Sequence, residues 1–364
     1  MKRRDRSSTV LRDEPSILVI ETGLVGELLV TTPALRALRR ARPASRITVI
    51  ASPGSAAVLV GNPAVDRLLP LTKKDRGGIG GLLKVGWWIR SRRFDAALVF
   101  HTSFRSALLA AFAGVPIRAG LACEGRGFLL THRVPRDRAA YEVDEHLRVL
   151  GLLGIEPDGR DLEIHLLEEE REEARRDLAG GGPLVGIHPG ASREIRRWPI
   201  DRFAELSLRI EDELAARVAL FFGPKERALA DAAREFFEAR GRSTPFIVFP
   251  KNVRMLAAYF ERVEVAVTNN TGPMHLAAAM KTPGVFIHGP TPVERWHPPG
   301  DHYVPVFAAG VPCRPCDSPR CRQERLECME GIDVAEVFDA VARLLEEKPP
   351  VTEGSTAGAS EETA

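Results

Sequence analysis

Residues 263–291, VEVAVTNNTGPMHLAAAMKTPGVFIHGPT, pass from an apolar strand through a capped turn into a small-residue helix and out into a second apolar strand. The strand Val263 to Val267 leads into Asn270, Thr271, Gly272 and Pro273, residue types that cap and start helices. His275 falls in the first turn that follows, and the second strand, Val285 to His288, runs into Gly289-Pro290-Thr291. Free backbone N–H groups and the positive end of the dipole meet at the start of such a helix. That makes an anion site, most naturally for phosphate. An ordinary α/β helix carries the same cap; His275 and the Gly-Pro-Thr loop point to a ligand.

Outward from this stretch the alternation continues. Ile17 to Ile20, Ile47 to Ala51 and Ala96 to Phe100 read as strands of a first half. Leu184 to His188, Val218 to Phe222 and Phe246 to Phe249 join the two strands above in a second. Helical segments lie between them at Pro33 to Arg40, Asp201 to Ala216, Lys225 to Ala239 and Val253 to Arg262. Strand and helix alternating twice over predicts two parallel sheets covered by helices. The charged run Glu168 to Asp177, followed by Gly180, Gly181, Gly182 and Pro183, marks the hinge region. A last helix, Asp333 to Glu346, opens on an Asp-x-x-Glu capping box and sets Val334, Val337, Phe338, Val341 and Leu345 on one stripe.

With 364 residues, 44% hydrophobic and 27% charged, the chain exceeds one typical domain and has material for two cores. A formal charge of +2 makes no demand for nucleic acid. The basic N-terminus lacks a following apolar run, and the longest run elsewhere, Ala107 to Ile117, is short of the roughly 18 residues a membrane span needs. A cytoplasmic, non-exported protein is expected, with disordered ends at 1–14 and 346–364.

The segment from Asn270 to His275 with its Gly-Pro-Thr loop resembles the signature of the ADP-heptose:lipopolysaccharide heptosyltransferase family of inverting glycosyltransferases. The family's usual form is Asn-Asp-Ser/Thr-Gly-Pro-Met-His followed by Gly-Pro-Thr. The likeness extends from about Ile17 to Leu345. It implies a GT-B architecture, two Rossmann-like domains whose parallel sheets face across a cleft. The expected divisions are an acceptor-side domain at 15–167, a linker at 168–183 and a donor-binding domain at 184–345. In that architecture the C-terminal helix packs back toward the first domain.

Several further segments are similar to the family's. Pro189-Gly190-Ala191-Ser192 precedes Arg196-Arg197-Trp198-Pro199, and the basic residue two before Trp-Pro is the phosphate-stabilising position, here Arg196. Its fork of donors suits a diphosphate. Glu226, in Gly223-Pro224-Lys225-Glu226, matches the ribose-binding carboxylate. Glu21-Thr22-Gly23-Leu24-Val25-Gly26-Glu27 and Thr32-Pro33-Ala34-Leu35 match the opening segment, where the usual Asp, the proposed general base, is replaced by Glu27. An extra methylene displaces that carboxylate by an ångström or more, and misplacement on that scale costs on the order of 100-fold. Asn270 likewise stands for an Asp; it keeps an acceptor oxygen but loses a charge. His101 and Arg105 lie in the family's acceptor-side loop, with Arg105 suited to an acidic or phosphorylated acceptor.

The resemblance therefore implies catalysis by Glu27 and Arg196, with Ser192, Glu226, Asn270, Thr271, Gly272, Pro273 and His275 seating the donor. Heptose would pass from ADP-heptose to a lipid-linked oligosaccharide of the lipopolysaccharide core, without a catalytic metal. Basic residues interleaved with Trp87 and Trp88, between Lys73 and Arg105, suit contact with an anionic membrane surface. Two alternatives remain: transfer to another surface glycan, or a nucleotide-binding protein that has lost transfer. Cys313-x-x-Cys316-x4-Cys321-x6-Cys328 has spacing close to a tetrahedral structural zinc site, with disulfides or free thiols as the other readings.

Overall fold

The structure, a computed structural model, describes residues 14–72, 75 and 77–347. The disordered ends expected at 1–14 and 346–364 lie almost wholly outside the described residues. Two six-stranded sheets form, ordered β3-β2-β1-β4-β5-β6 and β12-β11-β10-β7-β8-β9, and every paired neighbour is parallel. This is the expected GT-B arrangement.

The first sheet centres on β1 (Ser16–Ile20), flanked by β2 (Arg46–Ala51) and β4 (Ala96–Val99), with β3 (Arg67–Pro70), β5 (Ile117–Ala122) and β6 (His132–Pro135) outside them. Ile17, Leu18, Val19 and Ile20 are all fully buried, the mark of a parallel strand covered on both faces. In the second sheet β7 (Leu184–His188) and β10 (Val265–Asn269) are central. β8 (Arg217–Phe221) and β9 (Phe246–Val248) lie on one side, β11 (Gly284–Ile287) and β12 (Tyr303–Val306) on the other. The strand order reverses between β1 and β4 and again between β7 and β10. At such switch points connecting helices leave on opposite faces and open a crevice at the carboxyl ends of the strands.

The charged run Glu168–Asp177 forms a helix; it packs on helix Val253–Arg262, with Arg171 Nε 3.0 Å from Glu261 Oε2. One expectation needs correction. The C-terminal helix Val334–Glu347 packs on helix Ile200–Glu213 and on β10–β12, not back on the first sheet. Val334, Val337, Phe338, Val341 and Leu344 fill the core of the second sheet beside Trp198, Phe203 and Ile210. Its apolar stripe was read correctly; its partner was not.

The halves share one apolar core. Val58, Leu59 and Ala64 of the first half join Met255, Leu256, Ala258, Met274 and Leu276 of the second in a single cluster. Arg254, 5% exposed, crosses this junction. Its Nη1 donates to the Val60 and Ala57 carbonyls at 2.9 and 3.2 Å, its Nη2 to the His165 carbonyl at 2.7 Å, and its Nε to Glu170 Oε1 at 2.7 Å. Among the described residues no helix is long and apolar enough to cross a membrane.

Candidate active site

Beyond the carboxyl end of β1 the chain turns at Gly23 and enters the short helix Val25–Leu29. Glu27 sits in its first turn and Glu27 Oε2 accepts the Leu24 N–H at 2.7 Å, so the side chain folds back onto the helix start. The helix packs against Gly272–Ala279 of the other half. A Cβ on Gly26 would lie 2.6 Å from His275 Cδ2, and one on Gly272 3.4 Å from the Val25 Cβ. Glycine at these two places lets the helices approach until Glu27 faces the donor side.

A cavity of about 480 Å³ lies at this junction. Glu27, Ser192, Arg196, Asn270, Thr271, Gly272 and His275 all line it, brought from the ends of β1, β7 and β10. Pro273 occupies the first turn of the same helix. Arg136, Arg138, Arg193 and Arg295 line the cavity too, against Glu124 and Asp317. Sequence reading missed these arginines: Arg193 stands beside Ser192, Arg136 and Arg138 share the loop after β6, and Arg295 sits in the short helix Val293–Trp296, without motif spacing among them.

Arg196 ends a 3₁₀ turn, Glu194–Arg196, pegged by Trp198. The Trp198 backbone N–H donates to Asn269 Oδ1 at 3.0 Å and its indole N–H to the Ile332 carbonyl at 3.2 Å. Arg196 Nη2 lies 3.2 Å from Asp317 Oδ1, while its buried Nε has no hydrogen-bond partner. Burial draws its guanidinium below its ordinary value, with Asp317 opposing. Arg295 is half-held by the first half of the chain: its Nε is 2.8 Å from Glu142 Oε2, and Arg136 Nη2 is 2.9 Å from Glu142 Oε1. Two cations from opposite halves thus share one buried carboxylate at the cavity wall.

Asn270 is organised by a relay of histidines. His297 Nε2 donates to the Tyr303 carbonyl at 3.0 Å, leaving its Nδ1 to accept from His288 Nε2 at 3.1 Å. His288 Nδ1 is then an acceptor, and Asn270 Nδ2 donates to it at 2.7 Å and to Thr291 Oγ1 at 2.8 Å. Burial drives the His288 imidazole well below its ordinary value, so the relay is neutral. A carboxylate at 270 would set acceptor against acceptor, which gives a physical reason for Asn here.

His275 is uncharged as well. Burial holds it down to about 4, so it is a neutral imidazole near pH 7, with Nδ1 unpartnered. Positive charge for a phosphate comes from the arginines and the helix start instead.

Glu21 was overlooked. It is buried just after β1, and its Oε1 accepts the Gly23 N–H at 2.7 Å. A Cβ on Gly23 would meet both the Glu27 and the Glu21 carboxylates. Burial, then the nearby Glu27 charge, raise the Glu21 carboxyl well above the ordinary carboxylate range.

Besides Pro273, three expected contributors lie outside the cavity lining. Glu226 accepts the Gly223 N–H at 2.6 Å and presses on Gly190, next to the Ser192 loop. His101 Nδ1 is 3.0 Å from Ser103 Oγ and 3.1 Å from Ser106 Oγ. Arg105 Nη2 donates to the Gly78 carbonyl at 3.1 Å. Of the expected zinc ligands, Cys313, Cys316 and Cys321 lie near enough to Cys328 to help burial push its thiol up to about 11. Cys313 and Cys316 are exposed, Cys321 is half-buried, Cys328 is buried and none is in a disulfide. Among the described residues no group of three or more His, Cys, Asp or Glu is arranged to hold a metal ion.

The sequence profile of "Glycosyltransferase family 9 (heptosyltransferase)" matches residues 82–327. The chain is 28% identical over 308 residues to "Lipopolysaccharide heptosyltransferase 2" of Escherichia coli strain K12, covering 80% of this chain and 87% of that one. Its structure superposes on a family 9 glycosyl transferase from Veillonella parvula with a TM-score of 0.81, at 25% identity, over 93% of this chain and all of the other. It superposes on ADP-heptose lipopolysaccharide heptosyltransferase II of E. coli with a TM-score of 0.74, at 24% identity, over 91% and 98%.

Proposed function

Because the chain belongs to glycosyltransferase family 9 (heptosyltransferase), we propose that it transfers heptose from ADP-heptose to a hydroxyl of a lipopolysaccharide-core acceptor, with inversion. The observation that carries this reading is the meeting of Glu27 and Arg196, from opposite sheets, in one arginine-lined cavity at two switch points. In a single displacement the acceptor oxygen bonds to the anomeric carbon as the bond from that carbon to the diphosphate breaks. Glu27 takes the acceptor proton. The electron pair leaves with the diphosphate, whose growing charge falls to Arg196, Arg193 and the start of helix Gly272–Ala279. These groups are fixed before substrate arrives, and their stabilisation is largest in the transition state.

Ser192, Asn270 and the Thr271 to His275 turn would seat the diphosphate and sugar, with Glu226 toward the ribose beyond the cavity wall. His101 and Arg105 would act on the acceptor side only after rearranging from their present partners. An acceptor carried on a lipid places the reaction at the cytoplasmic face of a membrane. The test is turnover of the purified protein with a panel of nucleotide sugars and core acceptors, read by product mass. A heptosyl adduct from ADP-heptose is the expected result. Another sugar in the product points to a different surface glycan, and nucleotide binding without product in any combination favours a protein that has lost transfer.

A further inference from the structure

Six of the ten large apolar side chains exposed among the described residues fall on one face of the first half. Helix Gly78–Arg92 supplies Ile79, Leu83 and Trp87, spaced by four so that they form one stripe. Phe104 and Phe112 come from the two ends of helix Phe104–Phe112, and Phe128 from the turn Arg126–Leu129. Ile79, Trp87 and Phe128 are the most open, at 77%, 70% and 71% exposed.

These elements form a continuous surface. The two helices pack together, and Gly86 leaves room for the Phe112 ring against the first of them. Arg105 bonds to the Gly78 carbonyl, and the Phe104 and Phe128 rings stand 6.0 Å apart. Trp88 faces the other way, packing beside Phe94 at 6.3 Å with Arg92 over its ring at 5.4 Å. Trp87 has no such cover.

The charge on this face has one sign. Residues 78–92, 104–112 and 126–129 contain no Asp or Glu, while Lys84, Arg90, Arg92 and Arg105 lie on the two helices. Arg93 follows the first helix, and Arg133 reaches the turn by donating to the Gly127 carbonyl at 3.1 Å. The acids at its margin are Asp75, paired with Lys84 at 2.9 Å, and Glu124 on the cavity side. An apolar stripe with aromatic side chains, ringed by cations of which Lys84 is paired with Asp75, matches the interfacial layer of an anionic bilayer in both polarity and charge.

We propose that this face docks the protein on an anionic lipid bilayer, with Ile79, Trp87 and Phe128 entering the headgroup layer and the surrounding arginines drawn to its charge. Phe104 lies just past the carboxyl end of β4, the sheet edge where Glu27 also lies, so docking brings the cavity edge toward lipid-borne acceptors. That last point rests on the proposed transfer; the docking itself does not.

The test uses the full chain without any sugar nucleotide, in flotation with phosphatidylcholine vesicles containing about 30% phosphatidylglycerol or none. Wild type is expected to float with the anionic vesicles, to shift its tryptophan emission to the blue, and to be released by salt. The triple variant Ile79→Ser, Trp87→Ser, Phe128→Ser should bind at least about tenfold more weakly. Its circular dichroism, melting temperature and turnover on a lipid-free acceptor fragment should be unchanged. Arg90→Glu with Arg92→Glu should weaken anionic binding and leave the basal turnover alone. No flotation of wild type, equal flotation of the triple variant, or a wild-type dimer in solution that the triple variant abolishes would each overturn the proposal. Loss of transfer with intact flotation would instead count against the proposed function.

Discussion

As the proposed base, Glu27 is a longer carboxylate where its family's usual residue is Asp. Its hydrogen bond to the Leu24 N–H draws the side chain back along the helix start; in the proposed transfer this absorbs the added methylene, and Oε1 would receive the acceptor proton. Gln keeps an acceptor for Leu24 but cannot take a proton. Glu27→Gln should therefore retain nucleotide affinity in a calorimetric titration while turnover falls roughly 100-fold or more. Near-normal turnover would remove Glu27 from the mechanism. Beside it, Glu21 binds its proton more tightly when folded than when unfolded. The stability this gives is fully present below the ordinary carboxylate value of about 4.3, and it is lost as pH rises from there through the raised folded value. Glu21→Gln removes the ionisation, so the variant should gain stability relative to wild type as pH rises across that window. Parallel curves in denaturant titrations across pH would refute the assignment. Residues carried by contiguous motifs, from Asn270 to His275 and from Ser192 to Arg196, were legible in the sequence because spacing on a strand–turn–helix unit fixes their direction. Glu21, Arg136 and Arg295 were not: Glu21 is set apart by its burial, and Arg136 meets Arg295 only through Glu142, 153 positions before the latter.

At the scale of elements, the approach of helices Val25–Leu29 and Gly272–Ala279 sets the distance between base and donor. Gly26→Ala would place a methyl group against His275. Overpacking of this kind costs about 1–3 kcal/mol, and here relief is available by parting the helices. The expected result is a modest fall in melting temperature with a disproportionate loss in kcat/KM, about tenfold or more, because the reacting groups separate. A variant that loses stability alone would show that the contact has no part in positioning. The central strands were readable from their apolar runs, as with Leu184–His188, which falls at the expected residues. β3, β6 and β12 were not, being four-residue strands with charged, imidazole or proline positions among them. Helix Gly78–Arg92 was hidden by its glycines, which periodicity alone does not read as helix. The cysteine spacing suggests a metal, and Cys313, Cys316 and Cys321 do come near Cys328. If the four thiols close on zinc, reduced, purified protein should hold nearly one equivalent by elemental analysis, and less than about half an equivalent would count against the site.

Across the whole molecule, the alternation of strand and helix announced two sheets, but it could not announce how they join. That depends on small residues and on Arg254, whose partners in the first half lie nearly two hundred positions away. With one apolar cluster running through both halves, unfolding should be a single calorimetric transition rather than two. Arg254→Ala strips Glu170 of its charge partner and leaves three carbonyls to find other donors. A loss of about 3 kcal/mol or more is expected from denaturant unfolding, whereas an exposed ion pair would contribute under about 1 kcal/mol. The same guanidinium bears on the ancestry of such chains. An acceptor half exchanged for that of a relative must still offer carbonyls where Ala57, Val60 and His165 now offer them, or the graft leaves a charge stranded in oil. Recombination of specificities between members is thereby restricted to partners that preserve this one cradle, however well their binding loops would suit each other.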